Sequence, residues 1–155
     1  MIFPKTDIVL VNPQIPQNSG NIGRTCIATN STLHLVKPLG FEISDAKLKR
    51  AGLDYWHQID LKIYENIDEL EKKLLSHKPF YLFSRFATKL FWDVPYEKEC
   101  ALVFGSETTG LPETFKNKYP DRLLKIPTPG NVRSLNLSTS VGIALYQSLS
   151  VRAAR

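Results

Sequence analysis

Metal ligands and redox groups are scarce in this chain: its 155 residues contain two cysteines and three histidines. Cys26 and Cys100 lie far apart and form no CxxC, and the histidines are scattered, so neither a metal-ligand spacing nor a disulfide framework can be drawn. Both thiols read as small buried hydrophobes, Cys26 on a helix and Cys100 at the start of a strand. No apolar run approaches the roughly 20 residues that span a bilayer. The opening MIFPKTDIVLVNP lacks the basic segment and long apolar segment of a signal peptide. The expectation from these absences is a cytoplasmic protein with no metal and no membrane partner. Nucleotide and hydrolase signatures are missing as well. Without GxGxxG a dinucleotide site is poorly supported, without GxxxxGK[ST] a P-loop is excluded, and without GxSxG or a His–carboxylate pair beside a nucleophile the usual hydrolases fail.

Acidic residues are missing locally. Residues 122–155 carry five basic residues and no acidic one, whereas residues 51–121 carry nine basic against twelve acidic. Lys47, Lys49 and Arg50 form a second basic cluster, and the net charge is +5. Positive charge gathered in this way fits a polyanionic partner. Hydrophobic content of 43% and charged content of 23% are those of a globular protein, and the length suits one domain over residues 1–155.

What the sequence does contain is an alternation of strands and helices. DIVLVN, residues 7–12, is a continuous β-branched and aliphatic run and reads as a strand buried on both faces. Further strands are expected over residues 32–37, 61–64, 80–85 and 100–104. Between them come a polar loop at 14–19 and a helix from Gly20 to Thr29 with Asn18 or Ser19 as cap. A short basic helix carrying Lys47, Lys49 and Arg50 is capped by Ser44 or Asp45 and ends at Gly52. An amphipathic helix is opened by the capping-box spacing of Asn66 and Glu69 and stops before Pro79, and Pro112 stands at the first position of a helical turn. The strands show no period-2 polarity. An α/β fold on a mostly parallel sheet flanked by helices follows, with ligand loops at the C-terminal ends of the strands.

The chain is organised around residues 122–149. A short strand (Leu123, Leu124, Ile126) breaks at Pro127, Pro129 and Gly130, and a helix begins near Leu135. The intervening TPGNVRS is polar, with φ fixed at two prolines and free at one glycine, as in a loop that holds a shape for a ligand. In the helix, Leu137, Val141, Ala144, Leu145 and Leu149 recur with a period near 3.6, so one face is buried. Gly142, which costs the helix about 1 kcal/mol relative to alanine, is expected where another backbone passes very close.

Four motifs stand in order along the chain: NSGNIGR at 18–24, RAGLDY at 50–55, FGSETTGLP at 104–112 and IPTPGNVRSLNLS at 126–138. Together they resemble those of the SPOUT superfamily of RNA methyltransferases, specifically the tRNA 2′-O-ribose methyltransferases that act on the wobble nucleotide. The resemblance implies a C-terminal trefoil knot, through which Ser138, Ser140, Gly142 and Ala144 would allow a tight passage, and a homodimer packed through the first and last helices. It implies S-adenosylmethionine as cofactor and tRNA as substrate, methylated at position 34 on cytidine or a modified uridine, in leucine isoacceptors. A 2′-O-methyltransferase acting on another tRNA position or on rRNA, or a non-catalytic RNA-binding protein on the same fold, shares much of this pattern.

By position, the resemblance assigns cofactor binding to Phe83, Gly105, Ile126, Ser134 and Leu135, although Phe83 and Ile126 read equally well as strand core. It assigns the ribose hydroxyl to Arg24, acting across the dimer either as a base or by gripping the adjacent phosphate, where a surface helix residue is the plain alternative. Asn18 and Asn136 would orient this arginine and the substrate, or cap helices. Lys47, Lys49, Arg50 and Arg133 are candidates for tRNA backbone contacts, or part of a solvated face.

Overall fold

The computed structural model describes residues 2–44, 46 and 54–153. In chain order its elements are β1 (Thr6–Val11), α1 (Pro16–Ala28), β2 (Thr32–Val36), β3 (Leu61–Tyr64), α2 (Ile67–Leu70, continued by a π turn at Glu71–Leu75), β4 (Phe80–Phe83), β5 (Cys100–Phe104), α3 (Glu113–Lys118), β6 (Leu123–Leu124) and α4 (Leu137–Arg152). The basic helix expected around Lys47, Lys49 and Arg50 lies outside the described residues. No helix among the described residues is long and apolar enough to cross a membrane.

Six strands form one sheet in the order β3-β2-β1-β5-β4-β6, and every pairing is parallel. Central β1 is buried at all positions, as its unbroken aliphatic run requires. Its side chains alternate between two cores. Ile8 and Leu10 join Leu33, Leu35 and Leu102 under Ile22 and Cys26 of α1 and Val141, Ala144, Leu145 and Leu149 of α4. Val9 and Val11 face the other way, with Val103 and Leu82, toward Leu70 and Leu74 of the α2 segment and Phe115 of α3. Both cysteines are buried among these side chains, and desolvation pushes the Cys26 thiol up to about 12 and that of Cys100 up to about 11.

Strand order decides where a ligand can sit. From β1 the chain moves outward through β2 and β3, crosses back over β1 to β4, steps inward to β5 beside β1 and then passes over β4 to β6 at the far edge, so the connection leaving β1 runs toward one edge and that leaving β5 toward the other. Order therefore reverses between neighbours β1 and β5, and loops leaving their C-terminal ends diverge to open a crevice.

Two polar clusters anchor the sheet away from that crevice. Near the start of β1, Asp7 Oδ1 lies 2.7 Å from His34 Nε2, His34 Nδ1 lies 2.9 Å from the Tyr64 hydroxyl, and Lys78 donates to the other Asp7 oxygen. Burial alone would raise the Asp7 carboxyl, but the bonds from His34 and Lys78 hold it below its ordinary value. At the end of α4, Arg152 is buried and donates to the Lys98 carbonyl at 2.9 Å, the Ser148 hydroxyl at 2.9 Å and the Thr6 hydroxyl, tying the last helix to the first strand.

Several boundaries differ from the sequence expectation. Helix α1 begins at Pro16, with Ile15 at the cap position and no side-chain cap, so Asn18 and Ser19 are buried in its first turn instead of capping it. Proline is tolerated there because the first helical N–H has no partner in any case. Pro112 is the cap of α3, one position before the first helical residue. The Asn66 side chain caps α2 through the Glu69 N–H at 2.9 Å, but the Glu69 carboxylate accepts from Glu65 N–H, one residue before the position a capping box uses. Strand β6 is only two residues long, and α4 starts at Leu137 with Asn136 as its cap. A Cβ added to Gly142 would meet nothing within 4 Å beyond its own stretch of helix, so no other backbone among the described residues presses on it.

Candidate active site

A cavity of about 320 Å³ opens at the C-terminal ends of β1, β4, β5 and β6, at the reversal point of the sheet. Each wall comes from a different loop. Phe83, the last residue of β4, is buried and stacks on Phe104 with ring centroids 4.6 Å apart and planes 13° apart. Ile126 follows β6 and lines the cavity as well, half-buried against the core. Both residues thus belong to the core and to the cavity wall at once. Ser134 and Leu135 line the cavity from the loop before α4, and exposed Arg133 lies on the same lining.

The loop after β5 owes its shape to two glycines. A Cβ on Gly105 would lie 2.0 Å from the Gly110 carbonyl carbon and 2.1 Å from the Leu111 nitrogen, so only glycine lets the loop fold back over the strand end. Gly110 adopts φ of 70°, and its N–H donates to the Ser106 carbonyl at 3.0 Å to close the turn. The Ser106 hydroxyl accepts from Thr109 N–H at 3.1 Å within it.

This turn aims Glu107 at the start of α1. One carboxylate oxygen accepts from Gln14 N–H at 2.8 Å, and the other from Ile15 N–H at 2.8 Å and Asn18 Nδ2 at 3.1 Å. Asn18 Oδ1 in turn accepts from Asn136 Nδ2 at 3.0 Å. Asn136 also caps α4, its Oδ1 accepting from Ser138 N–H at 2.9 Å and Thr139 N–H at 3.4 Å. One chain of hydrogen bonds therefore joins the loops after β1, β5 and β6. Burial would raise the Glu107 carboxyl, but the N–H groups of the Gln14 and Ile15 backbone and the Asn18 amide hold it below its ordinary value.

Of the residues singled out from sequence, Asn18, Phe83, Gly105, Ile126, Arg133, Ser134, Leu135 and Asn136 all line this one cavity. Arg24 does not. It is exposed on α1, with its guanidinium carbon 6.0 Å from the ring centre of Tyr55, whose hydroxyl donates to the Gly20 carbonyl at 2.8 Å. Lys47, Lys49 and Arg50 lie outside the described residues. Glu107 was not singled out, although it is the one acidic residue of its motif; its partners, 93, 92 and 89 residues away in the chain, give no local signal. Among the described residues, no group of three or more His, Cys, Asp and Glu side chains is placed to hold a metal.

Replacing Glu107 with Gln removes the charge that gathers these donors. At neutral pH, urea denaturation of Glu107→Gln is expected to show a loss of about 1–2 kcal/mol, kept small by partial solvation of the carboxylate. Because the folded-state value is lowered, the wild-type advantage is present above the ordinary value of 4.5 and disappears as pH falls through the lowered one. An advantage that persists unchanged in strong acid contradicts the assignment.

The sequence profile of the SpoU rRNA Methylase family matches residues 5–146. A tRNA (cytidine(34)-2′-O)-methyltransferase from Methylovorus glucosotrophus is 41% identical over 143 residues, spanning 92% of this chain and 92% of that protein. A solved structure concerned with 2-OH methylation of C/U34 on tRNA matches at 41% identity and a TM-score of 0.86, covering 94% of each chain. An AdoMet-bound rRNA methyltransferase from Sinorhizobium meliloti shares the fold at a TM-score of 0.81 and 23% identity, covering 95% of this chain and 57% of its own. With a family match over most of its length and a relative this similar across nearly the whole of both chains, the protein belongs to the SpoU rRNA methylase family.

Proposed function

We propose that the chain is an S-adenosylmethionine-dependent tRNA 2′-O-ribose methyltransferase acting on the wobble nucleotide, position 34, with cytidine or a modified uridine as target and leucine isoacceptors as the tRNA class. The observation that carries the reading is the meeting of motif residues from three loops at one cavity, stitched by Glu107, Asn18 and Asn136. Relatives that match along nearly the whole chain and carry this activity in their names support the choice of substrate.

The cavity suits the cofactor. Its volume of about 320 Å³ is within the range of small-molecule sites. Phe83, Phe104 and Ile126 offer apolar walls for a flat base, and hydroxyl and backbone groups of residues 106–109 and 134–136 offer polar partners. When bound, the cofactor supplies a methyl group already made electrophilic by its sulfonium, so the protein's task is mainly to hold the reactants in line. Phe83 and Ile126 hold the base, and the backbone at Gly105, Ser134 and Leu135 holds the polar edges. Asn18 and Asn136 keep the α1 and α4 ends in register above them.

Arg24 serves the ribose from a partner subunit. It is six residues beyond Asn18, about 9 Å along the helix axis, and it does not line the cavity of its own chain. A homodimer packed through α1 and α4 would present it to the partner's site. Exposed Ile143 and Tyr146 on α4, at 39% and 56% exposure, and the open space at Gly142 support this packing. A guanidinium carries its charge at neutral pH and cannot take the proton, so Arg24 grips the phosphate beside the target and polarises the 2′-hydroxyl, whose proton passes late to solvent water. Lys47, Lys49, Arg50 and Arg133 contribute phosphate contacts that position the RNA without reading its sequence.

The same reading includes the trefoil knot. Residues 84–91 embrace the exit of β6: Ser84 N–H donates to the Leu124 carbonyl at 3.0 Å, Lys125 N–H to the Lys89 carbonyl at 2.8 Å, and Phe91 N–H to the Lys125 carbonyl at 3.0 Å. From there the chain returns to bury Val141, Ala144 and Leu145 beside α1, a path that supports threading of the last helix through this loop.

Mass spectrometry of nucleosides from tRNA, with and without the gene, tests the substrate. A 2′-O-methyl group at position 34 that vanishes with the gene is expected; an unmodified position 34 with methylation in the D-arm or in rRNA overturns it. Shared sites are tested by mixing Arg24→Ala protomers with protomers crippled at Ser134. Partial rescue of activity in the heterodimers is expected, and no rescue means that each site is built from one chain.

A further inference from the structure

Phe86 is out of keeping with its surroundings. It follows β4 in a turn closed by the Ala87 N–H on the Ser84 carbonyl at 3.2 Å, and it is 68% exposed although neighbouring Phe83 and Ala87 are buried. Two cations attend its ring: the Arg85 guanidinium carbon lies 4.1 Å from the centroid and Lys116 Nζ lies 5.1 Å from it. Lys116 is also paired with Glu113 at 3.1 Å, whereas Arg85 has no ion pair among the described residues. All three residues border the cavity, which they share with Gly105 and Ser134.

We propose that Phe86, with Arg85 and Lys116, is a stacking platform for an unpaired base of the RNA next to the target nucleotide. This rests on the methyltransferase reading of the adjacent cavity and adds to it a contact that selects unstacked RNA. A flat exposed ring beside cations matches the two features of single-stranded nucleic acid: an aromatic base that stacks and a phosphate that needs positive charge. The cofactor has no need of this ring, because the apolar walls suited to its base, Phe83 and Ile126, are the less exposed ones. The platform is tolerant of base identity, since every base has a π face.

The test uses the full chain, an anticodon stem–loop RNA and S-adenosylmethionine as probes, and the variants Phe86→Leu and Phe86→Trp. Phe86→Leu keeps apolar bulk and removes the flat face; it is expected to weaken equilibrium binding of the stem–loop about tenfold and to raise its KM similarly. Cofactor affinity measured by calorimetry should not change, and Phe86→Trp should restore RNA binding. Unchanged RNA binding in Phe86→Leu overturns the proposal, and so does a parallel fall in cofactor affinity, which would assign the ring to the donor site. Equilibrium binding needs no turnover, so the two readings separate. Weakened binding by Phe86→Leu in a protein that methylates no RNA supports the platform and removes the proposed reaction; efficient methylation with binding indifferent to Phe86 does the reverse.

Discussion

One carboxylate holds the site together. Glu107 leaves the sheet on the loop after β5 and collects the Gln14 and Ile15 N–H groups and the Asn18 amide, all from the loop after β1 and the first turn of α1. These N–H groups belong to a helix start with no side-chain cap of its own, so the distant carboxylate does the work of a cap. Asn18 then passes the constraint to Asn136, the cap of α4. Breaking the first link frees the entry of α1 and, through it, the position of the last loop. The arrangement is possible only because Gly105 has no side chain, since a Cβ there would overlap the Gly110–Leu111 backbone.

The sheet explains why those loops meet at all. In a parallel sheet every strand delivers its loop to the same edge, and where the order reverses between β1 and β5 the flanking helices part. The clusters at the other side of the molecule, Asp7 with His34 and Lys78, and Arg152 with Thr6, tie strands and last helix without entering the cavity. Structural polar groups and cavity groups are therefore spatially separate, which leaves the loops to be shaped by ligand chemistry.

The sheet was largely legible in the sequence, because buried parallel strands are written as unbroken apolar runs. Residues 7–12 and 100–104 gave the strands within a residue. Loops after strands were legible too, and eight of the residues singled out there converge on one cavity. What was not legible depends on partners far away in the chain. The start of α1 at Pro16 is stabilised by Glu107 rather than by a local cap, so Asn18 and Ser19, which read as caps from the local sequence, lie buried inside the helix. Strand β6 is cut short ahead of Pro127, where the chain turns toward residues 84–91. Gly142 suggested close packing, but spacing along a helix does not say whether the neighbour is the same chain, and among the described residues nothing outside its own stretch of helix lies within 4 Å of where its Cβ would be.

On this reading the cavity at the reversal point is the methyl-donor site. A crystal structure determined with S-adenosylmethionine tests it most directly. Density for the cofactor is expected against Phe83 and Ile126, in contact with the backbone at Gly105, Ser134 and Leu135 and with the Glu107–Asn18–Asn136 network intact. Cofactor density elsewhere on the chain, or a bound state in which that network is broken, would contradict it.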